Sequence, residues 1–382
     1  MVRQLRILVF SAGFGNGHFR AAEAVIEGLR IKEPNADIIH LDFGDFLSKW
    51  VNTMVKNFYI EMIKHTPKLW GKLYYKTARL QPDSMLQRFL KQLGRSDFLK
   101  YIQAFAPDLI VCTHPTVSSI LAQLRFEQIL QVPVITVITD YAVHSHWVHP
   151  GVDRYMVACE EVKESLVSWG IKEPCIVVTG IPVSPKFEVK MDREYLITKL
   201  GLNSNIPTFL VMGAYGGSKS AIRICEKLAD SLIPVQCIII CGKNNTLYRS
   251  LGKVIEQSLN PMVRLGYVHN VEELMSVSHL IVTKAGGLTV SEALTKHLPL
   301  VIFKPIPGQE EENAHFVQRI GAGHVVATEE EVGSLLSHLL SNPKEVEKMR
   351  EKASRALPSH STERVVGNML KLTMNSNEQK VG

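Results

Sequence analysis

Residues 281–313, IVTKAGGLTVSEALTKHLPLVIFKPIPGQEEEN, decide the fold. An apolar run from Ile281 is followed by Gly286-Gly287, which open a helical pattern carrying Thr289 and Glu292. A second apolar run, Leu300–Phe303, empties into a Pro/Gly loop and then Gln309, Glu310, Glu311, Glu312 and Asn313. Strand, helix and strand with loops at the carboxyl ends form the βαβ unit of an open α/β sheet, and ligands bind at those ends. The glycines permit close backbone approach, and the N–H groups of a helix start suit a phosphate. Glu292, about one turn into the helix, is a poor neighbour for a phosphate but a good acceptor for sugar hydroxyls. That combination reads as a nucleotide site. A glycine-capped structural turn beside a solvated acidic face accounts for the same residues equally well.

The same rhythm extends outward in both directions. Thr208–Met212 is a strand opening into Gly213, Gly216, Gly217 and Ser218, with Cys237–Cys241, Val263–Leu265 and Leu280–Thr283 as further strands. In the N-terminal half, Leu5–Phe10 leads through Gly13, Gly15 and Gly17 to His18 and a helix with Ala21, Ala22, Val25, Ile26 and Leu29 on one face. Strands at Asp37–Leu41, Asp108–Cys112, Val132–Val137, Tyr155–Ala158 and Ile176–Thr179 follow. Asp42 after the second strand invites a dinucleotide reading, but G-x-G-x-G is not the G-x-G-x-x-G that such a site needs. Strand–helix alternation in both halves predicts an α/β protein of two Rossmann-like, doubly wound domains facing across a cleft. The expected domains are residues 1–187 and 188–382, joined through the proline-containing stretch Gly180–Phe187. The tail from Glu331 is helical and charged, and residues 362–372 are the candidate for a helix crossing back to the first domain.

Between Phe46 and Arg95 the alternation stops. Ten basic residues, among them Lys64, Lys68, Lys72 and Lys76, face only Glu61 and Asp83, with Trp50, Phe58, Tyr59, Trp70, Tyr74 and Tyr75 interleaved. Lysines attract anionic head groups, and Trp and Tyr favour the membrane interface. A helical insertion lying on anionic membrane lipids is expected, with packing against the core as the plainer reading. Nothing else in the chain resembles a nucleic-acid module, so no nucleic acid is expected.

At 382 residues, 46% hydrophobic and 21% charged, the chain has the matter for two cores. No apolar run approaches the ~20 residues of a membrane span, which predicts a soluble or peripheral protein. Six scattered cysteines without CxxC pairing predict buried, reduced thiols in the cytoplasm. The net charge of +6 resides largely in the insertion.

TKAGGLTVSEA at 283–293, followed by KPIPGQEEENA at 304–314, resembles the donor-nucleotide signature of the MurG-like glycosyltransferases, which bind UDP-sugars. The resemblance is closer to the diacylglycerol glycosyltransferases, namely plant monogalactosyldiacylglycerol synthase and the bacterial processive diacylglycerol β-glucosyltransferases. GNGH at 15–18 and Thr139-Asp140 match motifs of that branch. The likeness covers nearly the whole chain and is weakest in the basic insertion. It implies the GT-B architecture and an inverting transfer of a hexose, glucose or galactose, from a UDP-sugar to diacylglycerol. It also implies a peripheral protein on the cytoplasmic face of the membrane. The related peptidoglycan transferases, which give N-acetylglucosamine to a lipid-linked muramyl acceptor, carry GGTGGH where this chain has GFGNGH. A GT-B UDP-sugar epimerase would leave the insertion unexplained, and a UDP-sugar sensor without turnover would leave His18 and Asp140 idle.

Inverting transfer needs a base for the acceptor hydroxyl, an oriented donor and stabilisation of the leaving diphosphate. His18, mostly neutral at cytoplasmic pH, and Asp140 are the two candidate bases. Gly213, Gly216, Gly217 and Ser218, with Gly286, Gly287, Leu288 and Thr289, offer helix-start N–H groups to the diphosphate. No DxD pair signals a metal, so no cofactor is expected. The resemblance places uracil at Gly266, Tyr267 and Val268 and sets Gln309 and Glu310 near the donor sugar; Glu292 would take the ribose, and Lys284 belongs to the donor-binding set. Gly15, Asn16, Gly17, Trp50, Lys64, Lys68, Trp70, Lys72, Lys76, His146 and Trp147 fall on the acceptor and membrane side. His144, His146 and His149 have the spacing of a zinc site on a strand, but no cysteine or carboxylate completes the set.

Overall fold

In a computed structural model of the chain, residues 4–13, 16–46, 49–78, 95–213 and 217–381 are described. Gly15 and Gly216 lie outside them, and the side chains of Asn16 and Lys64 are likewise not described. The chain divides into two compact units. The first holds residues 1–185, 306–309 and 358–382, and the second holds 186–305 and 310–357.

The first unit is built on six parallel strands: β1 Arg6–Ser11, β2 Asp37–Asp42, β3 Leu109–Cys112, β4 Val134–Val137, β5 Arg154–Val157 and β6 Ile176–Val178. Their order is β2-β1-β3-β4-β5-β6. Helices cover the faces, so β3 and β4 are buried throughout, β1 is buried from Ile7 onward, and all three read as mainly apolar runs. Two separate layers of core flank this sheet, one around Phe10, Phe98 and Ile120, the other around Val9, Val25 and Leu29. The helix Ser361–Val381 completes the second layer with Val365, Val366 and Met369, all at 0% exposure. Each such side chain contributes about 1.5–3 kcal/mol on burial. Thr362 adds a hydrogen bond from its hydroxyl to the Val183 carbonyl, 2.6 Å.

The second unit repeats the plan with β7 Thr208–Met212, β8 Gln236–Ile240, β9 Met262–Leu265, β10 Leu280–Thr283, β11 Leu300–Phe303 and β12 Gly323–Val326. Their order is β12-β11-β10-β7-β8-β9, again all parallel. In both sheets the chain reverses direction of winding beside the first strand, between β1 and β3 and between β7 and β10. These switch points open crevices at the carboxyl edge.

The edge strand β12 was not evident from the residues, because two of its four positions are half-exposed and one is His324. The insertion forms two described helices, Lys49–His65 and Pro67–Ala78. Among the described residues no helix is long and apolar enough to cross a membrane. All six cysteines are unpaired. Asp42, the residue that invited a dinucleotide, accepts the N–H groups of Gly13 and Gly44 at 3.2 and 2.8 Å and so shapes its own loop.

Candidate active site

The carboxyl edge of the first sheet gathers the reactive side chains. His18 stands in the first turn of the helix Asn16–Lys32, after β1. His114 follows β3 at the cap of a helix started by Pro115, and Thr139 and Asp140 follow β4. The Thr113 hydroxyl donates to the His18 carbonyl at 2.8 Å, fixing the backbone beneath the imidazole. The His18 Nδ1 lies 2.8 Å from Thr139 Oγ1. With Nδ1–H donating there, Nε2 keeps its lone pair. Burial lowers the His18 pKa from its ordinary value of 6.5, while the charge of Asp140 and a hydrogen bond to the Thr113 backbone pull it upward. The neutral form is therefore favoured near neutral pH.

His18, Asp140 and Trp147 line one cavity of about 300 Å³, together with Trp70, Tyr74 and His114. The His18 and His114 rings meet edge to face at 4.9 Å, and Trp147 lies 6.1 Å from His18. Burial and the neighbouring His18 and His146 hold His114 well below the usual imidazole range. Residues 70, 73, 74 and 77 share one face of the helix Pro67–Ala78 and all line the cavity. Lys68, Lys72 and Lys76 are exposed on the same helix, and Trp50 is 72% exposed on the preceding one. Gly71 lets Pro307 approach so closely that a Cβ would overlap its ring. Gly308, at φ +99°, sits against the Tyr74 ring in a conformation that suits glycine. The side-chain amide of Gln309 then donates to Asp140 Oδ1.

Residues 144–149 are not a strand. Ser145–Trp147 is a 3₁₀ turn, and two of the ring nitrogens are engaged locally. His144 Nδ1 accepts the His146 N–H at 3.1 Å, and His149 Nε2 bonds the His146 carbonyl at 2.9 Å. The buried Tyr155 hydroxyl accepts the His149 N–H at 2.8 Å and lies 2.9 Å from the carbonyls of Trp147 and His149, holding Trp147 in the wall.

In the second unit, the carboxyl edge presents Tyr267 after β9, Gly213, Gly217 and Ser218 after β7, and Lys284–Gly287 after β10. Gly213 and Gly217 have φ of +115° and +112°, and Gly217 caps the helix Ser218–Ala229. Ser218 Oγ accepts from Asn244 at 3.1 Å. Gly286 caps the helix Gly287–Thr295, in which Leu288 is buried while Thr289 and Glu292 are half-buried on successive turns. Gly266 accepts the Gly242 N–H at 3.2 Å, and Val268 is half-buried beside the exposed Tyr267, whose ring meets His269 edge to face. Lys284 Nζ pairs with Glu310 at 2.7 Å. The neighbours Gln309 and Glu310 thus engage different partners, Asp140 in the first unit's cavity and Lys284 at the second unit's edge.

Thr139 as a side-chain partner, His114, Tyr74, Thr77 and Tyr155 had not been singled out for the site. The signals available were a His directly after an apolar strand and the 70/73/74/77 spacing on one helical face.

Residues 18–183 match the monogalactosyldiacylglycerol (MGDG) synthase family, and residues 216–365 match the glycosyltransferase family 28 C-terminal domain. A processive diacylglycerol beta-glucosyltransferase of Staphylococcus carnosus is 32% identical over 376 residues, covering 98% of this chain and 94% of the relative. Its Bacillus cereus counterpart is 31% identical over 352 residues, covering 92% and 89%. Among solved structures, Acinetobacter baumannii MurG superposes with a TM-score of 0.63 at 16% identity, covering 96% of this chain and 99% of that one. The UDP-bound MnaA of S. aureus gives 0.63 at 15% identity, covering 97% of both chains. These two likenesses show the GT-B type of fold. The sequence relationship goes further: this chain belongs to the family of the processive diacylglycerol β-glucosyltransferases.

Proposed function

We propose that the protein transfers glucose from UDP-glucose to the hydroxyl of diacylglycerol, with inversion, giving a β-glucosyldiacylglycerol. The observation that carries this reading is His18, its Nδ1 bound to Thr139, beside Asp140 in a cavity walled by Trp70, Tyr74 and Trp147. An apolar wall suits a lipid acceptor, and the polar floor suits its one reacting hydroxyl.

His18 Nε2 takes the hydroxyl proton as that oxygen bonds to the anomeric carbon of the sugar. The bond from that carbon to the diphosphate oxygen breaks, and UDP departs with the electron pair. Attack opposite the α-linked leaving group gives the β-glycoside. Asp140, held by Gln309, offsets the positive charge that forms on His18. The helix starts at Gly217 and Gly287 receive the diphosphate charge, Tyr267 and its neighbours receive uracil, and Glu292 receives the ribose. Lys68, Lys72 and Lys76, with Trp50, attach the protein to anionic lipid at the cytoplasmic face, a setting consistent with six unpaired thiols.

The test is product analysis with purified protein, diacylglycerol in anionic mixed micelles, and UDP-glucose or UDP-galactose in parallel. A β-glucolipid from UDP-glucose is expected. A galactolipid only would change the donor. No glycolipid from either, with UDP still bound, would overturn the acceptor assignment.

A further inference from the structure

The helix Pro67–Ala78 forms the apolar wall of the cavity, yet of its twelve residues only Gly71 is fully buried. Leu69 and Leu73 are 57% and 40% exposed. Apolar packing alone holds such a helix weakly, so its placement depends on polar contacts. Two of those contacts are made by one imidazole. His144 Nδ1 accepts the His146 N–H, so the neutral ring carries its proton on Nε2. Nε2 lies 3.1 Å from Thr77 Oγ1 and 3.3 Å from the Tyr74 carbonyl, both in the C-terminal half of the helix. Thr77 turns its own hydroxyl hydrogen to the Leu73 carbonyl at 2.8 Å, leaving its oxygen to accept. Next to it, the Ser145 hydroxyl donates to the Thr77 carbonyl at 2.9 Å. Carbonyls at a helix end lack intrahelical partners, and here the 144–145 loop supplies one. The Tyr74 ring packs on the imidazole at 4.8 Å.

We infer that His144 is a positioning residue that clamps the helix Pro67–Ala78 to the Ser145–Trp147 turn and so sets the acceptor wall opposite His18. The two ring nitrogens have separate tasks: Nδ1 orders the turn, and Nε2–H holds the helix. The consequence for lipid acceptance rests on the diacylglycerol reading, whereas the clamp itself does not.

The two tasks can be separated by substitution. His144→Asn keeps an acceptor where Nδ1 stood and loses the reach to Thr77. His144→Gln keeps a donor near Nε2 and loses the turn contact. Amide hydrogen exchange of residues 67–78 in the full chain is expected to rise in His144→Asn and to stay near the parent in His144→Gln. In mixed micelles, His144→Asn is expected to raise KM for diacylglycerol about three- to tenfold, the equivalent of one lost hydrogen bond. KM for UDP-glucose is expected to stay unchanged. Thr77→Val, which removes only the helix-side hydroxyl, is expected to match His144→Asn and serves should that variant fail to fold. Unchanged exchange in both His144→Asn and Thr77→Val, or equal loss in the Asn and Gln variants, would overturn the clamp. A parent protein that makes no glycolipid would instead sink the acceptor reading and leave the exchange result standing.

Discussion

The Nδ1 atom of His18 and the hydroxyl oxygen of Thr139, 121 residues apart in the chain, lie 2.8 Å from one another. A catalytic imidazole must present its lone pair to the substrate, and the partner on its other nitrogen decides whether it does. Thr139→Val preserves shape and removes the acceptor. It is expected to lower kcat about 10- to 100-fold, within the range for general-base effects, while UDP affinity measured by calorimetry holds. Thr139→Ser is expected to restore most of the rate. A Val variant with parental kcat would assign the bond a packing role.

Asp140 acts on the same ring through its charge. It raises the His18 pKa against the lowering by burial, so its removal lets the pKa fall further. A base works only when unprotonated, so the rate drops as pH falls through the His18 pKa. For the parent, the acid limb of kcat/KM is expected to have its midpoint below 6.5, and in Asp140→Asn that midpoint is expected to move to lower pH. A shift in the opposite direction, or a lost limb, would point to Asp140 itself as the base.

Tyr155 anchors the loop that carries Trp147. Its ring is fully buried, and burial pushes the phenol pKa upward, so the hydroxyl stays protonated. Tyr155→Phe leaves the His149 N–H buried without its acceptor, at a cost of about 1–3 kcal/mol. Chemical denaturation is expected to register that loss, and KM for the lipid acceptor is expected to rise as Trp147 shifts. Parental stability would mean that another group takes over the N–H.

The sheets were legible for a specific reason. Parallel strands covered on both faces are apolar at nearly every position, so β1, β3, β10 and β11 stood out as runs. An edge strand has no such requirement, which is why Gly323–Val326 was missed. His18 and Asp140 could be named because each ends a strand or begins a helix at the ligand-binding edge. Their partners could not. Thr77 and His144 lie 67 residues apart, and nothing in either neighbourhood encodes their meeting. The histidine spacing at 144–149 suggested one face of a strand, but the backbone turns there and gives the rings separate tasks.

The lysines of the insertion make a quantitative claim. Lys68, Lys72 and Lys76 are exposed one turn apart on one helix. At about 1 kcal/mol each near an anionic surface, replacing all three with Gln is expected to weaken vesicle binding about 100-fold at low salt. High salt should shrink the difference. Unchanged partition in a sedimentation assay would leave these residues as solvated charge.

The helix Ser361–Val381 belongs to the first unit, although the second unit's sequence lies before it. Its fit is close: a Cβ on Gly28 would stand 2.5 Å from the Thr362 methyl. During translation, the groove lined by Val25, Ile26 and Leu29 therefore waits for residues still to be made. At about 5–20 residues per second, the wait is on the order of ten seconds or more. For that interval the nascent chain carries an open apolar groove, a natural stop for a chaperone and an opening for a neighbouring chain's helix to enter instead.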